Sequence, residues 1–549
     1  MNTSTMRFWP TSRSLSVATV EARWLASILL LAAVLRLTGL DCQPLWADEA
    51  ATAGFASLPW SELLHGVGRL EPNPPGFYLL ESLWTRLAGG SDFALRLPSV
   101  AFGMGGVAVV WALGRAAAGS RAAGWAAGLA AINMPLLDHS REARVYALLF
   151  LTVGVVALLG RRIATGAPGA ALWRTVLALA LVSALSFWLH HTAAIAMAAA
   201  YAYAGVIAVR CPGPRLHRLA MLAAAGAAGL ALGVPSLLRI MAITSGAASN
   251  AGWIPVPDGL TTTIVAVATW TSTFEGLRLL AVPLSLAAVG VGLMVVVCVL
   301  AWASSRARWS AELSGLLIAT LLSVGLMAGV SQVVPVMVEK TLLFSLVFFL
   351  PMLGCALAAL PRAAVPALLV PLLVLQAPGI LVLTADARHG DDWPGAAAAI
   401  ESAAARADTA VAFRSGFDAI ALERYAPLPG AMRPSLLIAP QAGASLNEQI
   451  ALRLTRAVPV SEQATSASLC ARLGQHDQVL LVDRDNAFMN NARSAAMALL
   501  TAAGGIEAGE QYAGKLIIQH WQHVCATPNA PADAPAAALP RRPPPSAGN

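Results

Sequence analysis

"LASILLLAAVLRLTGL", residues 25–40, runs directly into "DCQPLWADEA", residues 41–50. The first stretch is greasy enough to enter a bilayer, where a span needs about 20 mostly apolar residues. The second sets two adjacent carboxylates, Asp48 and Glu49, where the chain leaves it, with Pro44 and Trp46 suited to the interface. No small-residue cleavage site follows the apolar run and many more such runs come after it. We therefore read it as a retained first helix rather than a removed signal peptide. Which side of the membrane Asp48 faces is then decided by everything downstream.

Of the 549 residues, 57% are hydrophobic and 12% charged, against about a quarter charged in soluble proteins. The larger part is a polytopic α-helical membrane protein. Lys and Arg exceed Asp and Glu by 36 to 29, but the arginines lie between apolar segments rather than in one patch, which argues against nucleic acid as partner. The six cysteines show no metal-ligand or CxxC spacing. Cys470 and Cys525 either pair, if their part of the chain is extracytoplasmic, or stand as two thiols.

About eleven transmembrane helices are expected, near 24–40, 93–113, 122–137, 145–160, 175–190, 192–209, 219–238, 279–303, 313–336, 341–360 and 363–384. Arginine tests this topology independently of hydropathy. With the N-terminal segment 1–23 cytoplasmic, the inner connections hold Arg115 and Arg121, then Arg161, Arg162 and Arg174, then Arg210, Arg215 and Arg218, then Arg306 and Arg308, then Arg362. An odd number of spans puts the rest of the chain outside. The expected domains are thus a membrane domain over 24–384, an extracytoplasmic α/β domain over 385–526 and a disordered Pro/Ala-rich tail over 527–549. The small α/β domain is read from short apolar runs ("TAVAF", "SLLIA", "QVLLVD", "KLIIQ") alternating with helical segments such as "RSAAMALLTAA". Residues 74–89 carry Glu81 and Arg86 and read better as an interfacial amphipathic helix than as a span.

The outer connections hold the residues able to do chemistry. Asp48 and Glu49 either mark the end of a span or serve catalysis; adjacent side chains diverge, so one can face a cavity while the other anchors the loop. In "DHSREARVYALL", residues 138–149, Arg141 and Arg144 would share one helical face, and Glu142 and Tyr146 another. The arginines serve either salt bridges or an anion, whose oxygens a guanidinium matches bidentately. Lys340, one of only two lysines in the chain, either snorkels or meets a lipid-linked phosphate at headgroup depth. His190 and His191 stand at another outer helix end, as interfacial hydrogen-bonders or as ligands. Carboxylates and cations gathered at one membrane boundary suit a reaction on an anionic lipid.

Through "LWADEA", "EPNPPGFYLLESLW", "FALRLPS", "SREARVYALL" and "VEKTLLF", and more weakly "DDWPGAAAAI", the chain resembles the GT-C superfamily of polyprenyl-phosphate-dependent glycosyltransferases. It is most similar to the protein O-mannosyltransferase, lipid A aminoarabinose transferase and Rgt-type bacterial branches, over about residues 25–400. The resemblance implies that Asp48 and Glu49 are catalytic, with Asp48 as general base or as ligand to a divalent metal ion. It implies that Arg141, Arg144 and Lys340 bind the donor phosphate, and that Glu71, Asn73, Glu142, Tyr146 and His191 line the substrate site. Two departures stand out: Asn73-Pro74-Pro75 where the family often has His-Pro-Pro, and Lys340-Thr341 where it often has Arg-Tyr. The expected function is transfer of a sugar from a polyprenyl-phosphate donor to a cell-envelope acceptor at the periplasmic face of a bacterial inner membrane. The alternatives are a transporter or flippase for lipid-linked sugars, which would place ionisable residues near the midplane, and an inactive relative that binds them.

Overall fold

The computed structural model describes residues 12–65, 70–166, 169–244, 254, 256–271, 310–384, 390–425, 435–439, 446–455, 457–461, 463–474, 476–484 and 490–526. The expected span 279–303, Arg306 and Arg308, and the tail from Thr527 lie outside the described residues. The chain divides into two units: one of Met1–Cys42, Pro72–Ala242 and Ala251–Arg388, the other of Gln43–Glu71, Ile243–Asn250 and His389–Asn549. Segment 43–71, expected within the membrane domain, is therefore carried by the α/β unit.

The first unit is a helical bundle, and the chain is a multi-pass membrane protein. Among the described residues six helices are long and apolar enough to cross a membrane: Asp92–Ile132, Tyr146–Thr165, Ala193–Arg210, Arg215–Ala242, Ala311–Ser331 and Glu339–Ala359. The 41-residue element Asp92–Ile132 is two helices joined at a kink, where Gly119 takes φ 80°. A side chain there would meet steric strain that glycine escapes. The kink falls between Arg115 and Arg121, where the arginine pattern requires an inner turn. At such ends the arginines find partners. Arg115 pairs with Glu21 at 2.9 Å and Arg161 with Glu312 at 2.6 Å, while Arg210 donates to Ser314 at 2.6 Å. A helix not expected from hydropathy, Gly259–Thr271, follows "WIPVPDG".

Small residues let the central helices approach, since apolar side chains gain little from packing in lipid. A Cβ built on Gly354 would lie 2.6 Å from the Ala122 carbonyl oxygen. Helix Leu346–Ala359 thus lies directly on Asp92–Ile132, and helix Tyr146–Thr165 packs against both Asp92–Ile132 and Ala193–Arg210. Helix Gly76–Ala88 buries Phe77, Tyr78, Glu81 and Ser82 and leaves Leu83 and Leu87 exposed, as an interfacial helix should.

The second unit is a three-layer α/β fold. Its strands are β1 (Thr409–Phe413), β2 (Ser435–Ala439), β3 (Val458–Ser461), β4 (Gln478–Arg484), β5 (Ile506–Ala513) and β6 (Leu516–Gln522). The sheet order is β3-β2-β1-β4-β6-β5; β1 to β4 run parallel and β6 and β5 close the far edge antiparallel. β1 and the middle of β4 are buried, which is why "TAVAF" and "QVLLVD" read as continuous apolar runs rather than alternations. Cys470, within helix Ser466–Leu473, and Cys525, just after β6, form a disulfide across 55 residues.

Segment 43–71 joins this unit through helix Ala47–Ser57, which buries Phe55 and lies on helix Gly416–Tyr425. The Leu45 amide donates to the Tyr425 hydroxyl at 2.6 Å, and Arg453 pairs with Glu62 at 3.3 Å.

Candidate active site

In the membrane unit the expected residues converge on Tyr146. It opens a spanning helix and is itself buried. The Arg144 guanidinium carbon lies 5.9 Å and the Lys340 ammonium 5.8 Å from its ring centroid, within range of a cation–π attraction. His139 approaches the same ring at 5.2 Å and His190 at 5.6 Å, and His190 stacks on His191 at 4.0 Å. His191 Nδ1 donates to the Asn73 Oδ1 at 3.2 Å, and the Asn73 carbonyl accepts from Arg239 at 3.1 Å. His190 Nδ1 accepts from the Thr192 amide at 3.2 Å, which leaves its Nε2 as the donor.

The electrostatics of these imidazoles divide sharply. Burial, with His191, Arg144 and Lys340 nearby, holds His190 well below the ordinary histidine value. Burial and Lys340 bring His191 down to about 4. Both are neutral at physiological pH, chiefly because burial disfavours the charged form and secondarily because the nearby charge is cationic. Burial also opposes charging of His139, but Glu142, 2.9 Å away, with Asp138 and Glu339, raises its pKa. Two cations beside neutral imidazoles are chemistry that suits a phosphate, whose oxygens a guanidinium and an ammonium can both meet.

One expectation fails here. Arg141 and Arg144 do not share a helical face, because residues 140–145 are a bend between two helices. The two guanidinium groups consequently part. Arg141 donates to the carbonyls of Leu35, Arg36 and Thr38 at 2.9, 3.1 and 2.6 Å, and to Gly39 at 2.8 Å. It caps the first helix, whose last carbonyls have no partners within the helix. Beside it the fully buried Arg36 donates to Ser140 Oγ at 2.9 Å, and Arg96 donates to the Leu40 carbonyl at 2.7 Å.

In the α/β unit, Asp48 and Glu49 stand in the first turn of helix Ala47–Ser57 and diverge as adjacent residues must. Glu49 is fully buried and its Oε2 accepts from the Trp46 amide at 3.3 Å, fixing the helix start; Asp48 is half-buried. Glu71 is buried at the end of the same segment.

Among the described residues, one further group besides the expected Asp48 could hold a divalent cation. Asp138, His139 and Glu142 each offer a ligand atom, all within 4.8 Å of one another. Nitrogen and carboxylate donors suit zinc or manganese. The proton that His139 shares with Glu142 would leave on binding. His139 was not singled out from sequence, although its i,i+3 spacing to Glu142 was a signal; His190 was, with His191, as a hydrogen-bonder or a ligand.

Residues 72–238, which hold most of this cluster, match the family described as Dolichyl-phosphate-mannose-protein mannosyltransferase. No curated protein matches the chain by sequence. The family match covers 167 of the 549 residues, and the fold of the whole chain has counterparts among solved structures. ArnT from Cupriavidus metallidurans in the apo state superposes with TM-score 0.60 at 13% identity, over 91% of this chain and 98% of that one. The same protein bound to undecaprenyl phosphate gives TM-score 0.56 at 13% identity, over 90% and 98%. The archaeal oligosaccharyltransferase AglB from Archaeoglobus fulgidus, in complex with an inhibitory peptide and a dolichol-phosphate, gives TM-score 0.48 at 12% identity over 87% and 71%.

Proposed function

We propose that this protein transfers a sugar from a polyprenyl-phosphate carrier to a cell-envelope acceptor on the extracytoplasmic face of a bacterial inner membrane. The observation that carries the reading is the convergence of Arg144 and Lys340 on Tyr146, backed by neutral His190 and His191. The orientation rests on the arginines of alternate connections and on the disulfide of the α/β unit, a bond of oxidising compartments. A match to a structure with undecaprenyl phosphate bound supports the carrier class.

In this reading Asp48 takes the proton of the acceptor hydroxyl as its oxygen attacks C1 of the sugar. The bond from C1 to the phosphate oxygen breaks, and its electron pair stays with the carrier phosphate. Arg144 and Lys340 meet the charge that develops there; fixed charges in a water-poor site need no reorganisation as the reaction proceeds. Asn73, Glu142, Tyr146 and His191 shape the donor site, and Glu49 holds the helix that presents Asp48. Arg141 serves the fold rather than the phosphate. A bound divalent cation would sit on Asp138, His139 and Glu142 and lend Lewis acidity to a phosphoryl oxygen.

The test is mass spectrometry of envelope glycans and lipid carriers in a strain lacking the gene. One sugar modification should vanish while its polyprenyl-linked donor accumulates. No change in either overturns the reading.

A further inference from the structure

The α/β unit has a place where such sheets take ligands. From β1 the chain turns to β2 and β3 on one side and returns to β4 on the other, so β1 and β4 flank a topological switch point. In open α/β sheets, ligands bind outside the carboxyl ends of the strands at that point. Here the residues at those ends are charged and paired among themselves. Arg414, directly after β1, binds Asp483 of β4 at 2.6 Å. Arg484, the last residue of β4, pairs with Asp418 at 3.0 Å and Asp391 at 3.2 Å. Its guanidinium also lies 5.3 Å from the ring of Trp393, which is fully buried. Three residues of "DDWPG" have definite tasks. Asp391 holds Arg484, Asp392 caps the next helix by accepting from the Gly395 amide at 2.8 Å, and Trp393 backs the guanidinium.

Asp418 belongs to helix Gly416–Tyr425, and the helix that carries Asp48 lies on it. A Cβ on Gly54 would sit 3.8 Å from Ile420 and 3.3 Å from Leu454. The far end is fastened by the bond from the Leu45 amide to Tyr425. Burial works against the charge of Arg484, yet Asp418, Asp391 and Asp48 together hold its pKa above the ordinary arginine value. The carboxylate of the first outer segment is thus part of the field that keeps this guanidinium charged. The edge that a doubly wound sheet ordinarily offers to a ligand is given over to the chain's own segment.

We propose that Arg484, clamped by Asp418 and Asp391 at the β1/β4 switch point, is a positioning residue for Asp48. The α/β unit then sets the geometry of the candidate base. This inference rests on the reading of Asp48 as that base.

The experiment uses the full chain in lipid nanodiscs, with hydrogen–deuterium exchange followed over Ala47–Ser57 and over β1 and β4. In Arg484→Met the amides of Ala47–Ser57 should exchange at least ~10-fold faster, as expected when a tertiary anchor of a locally opening segment is lost, with β1 and β4 unchanged. Arg484→Lys, which keeps the charge but loses the fork, should fall between. Arg453→Ala, which cuts only the outer pair with Glu62, should leave exchange there as in the parent. If Arg484→Met also speeds β1 and β4, Asp418→Asn takes its place with the same expectation.

Transfer by the variant, assayed with the donor that accumulates in the deletion strain, should lose kcat by roughly 10²-fold, the scale of a small misplacement. KM for that donor should stay within about twofold, because donor binding is untouched. Unchanged exchange over Ala47–Ser57 in both variants overturns the proposal, as does a loss confined to KM. If the segment loosens as expected but Asp48→Asn transfers normally, the failure lies in the reading of Asp48 and the tether stands.

Discussion

At Arg141 and Arg144, two residues of one type three positions apart have unlike tasks, and variants should separate them. Arg144→Met should lower transfer by about 10²–10³-fold, the usual loss of one preorganised stabiliser, and weaken binding of undecaprenyl phosphate, with the melting temperature nearly unchanged. Arg141→Met should do the reverse. It removes the donor shared by the carbonyls of Leu35, Arg36, Thr38 and Gly39 and should cost at least about 2 kcal/mol of stability, given about 1.5–3 kcal/mol for a hydrogen bond to a charged group. Thermal unfolding and carrier binding, measured on both variants, check the pair. Asp48→Asn should insert and fold normally while turnover disappears.

Histidine gives the pH dependence at the same scale. His191 titrates near 6.5 when unfolded and at about 4 in the fold, so the unfolded chain takes the proton first as pH falls. Stability from this group is therefore lost between about pH 6.5 and 4. His139 has the opposite sign: its raised pKa makes its pair with Glu142 stabilising at acid pH, a contribution lost as pH rises through the folded value. Melting curves from pH 7 to 5 should show a shallower fall in His191→Asn than in the parent protein; an equal slope would remove His191 from the account.

Among elements, the sequence was most legible where one period rules. The apolar runs of β1, β2, β4 and β6 were readable because a central strand is buried on both faces. The spanning helices were readable because lipid demands an unbroken apolar length. Bends were not. The stretch 140–145 fits a helix by spacing, but the chain turns there, with the Arg141 amide bonded to the Asp138 carbonyl at 3.0 Å. The disulfide was one of two readings open to the sequence, since pairing depends on where helix Ser466–Leu473 and the end of β6 meet. Cys470→Ser should lower the stability of the α/β unit by about 2–4 kcal/mol, the usual contribution of such a bridge. Chemical denaturation followed at Trp521, buried in the cluster beside both cysteines, would report it.

For the whole molecule, the arginine pattern makes a topology that reporter fusions can test. A phosphatase active only outside the cytoplasm should work when fused after Ala526 and fail when fused after Arg210. Activity in the second fusion would invert the orientation and remove the extracytoplasmic reading of the site.

The sequence by itself determined the membrane class, the α/β character of the last third and the set of polar residues able to do chemistry. Bilayer solvation and β burial act on the chain locally and leave periodic marks. Only the tertiary structure decided which of those residues meet. Tyr146 gathers cations and imidazoles from three separate connections, and the helix bearing Asp48 is carried by a unit whose bond to Leu45 comes from 380 residues away. A contact between distant residues has no period to reveal it; it exists only once packing has brought both sides together.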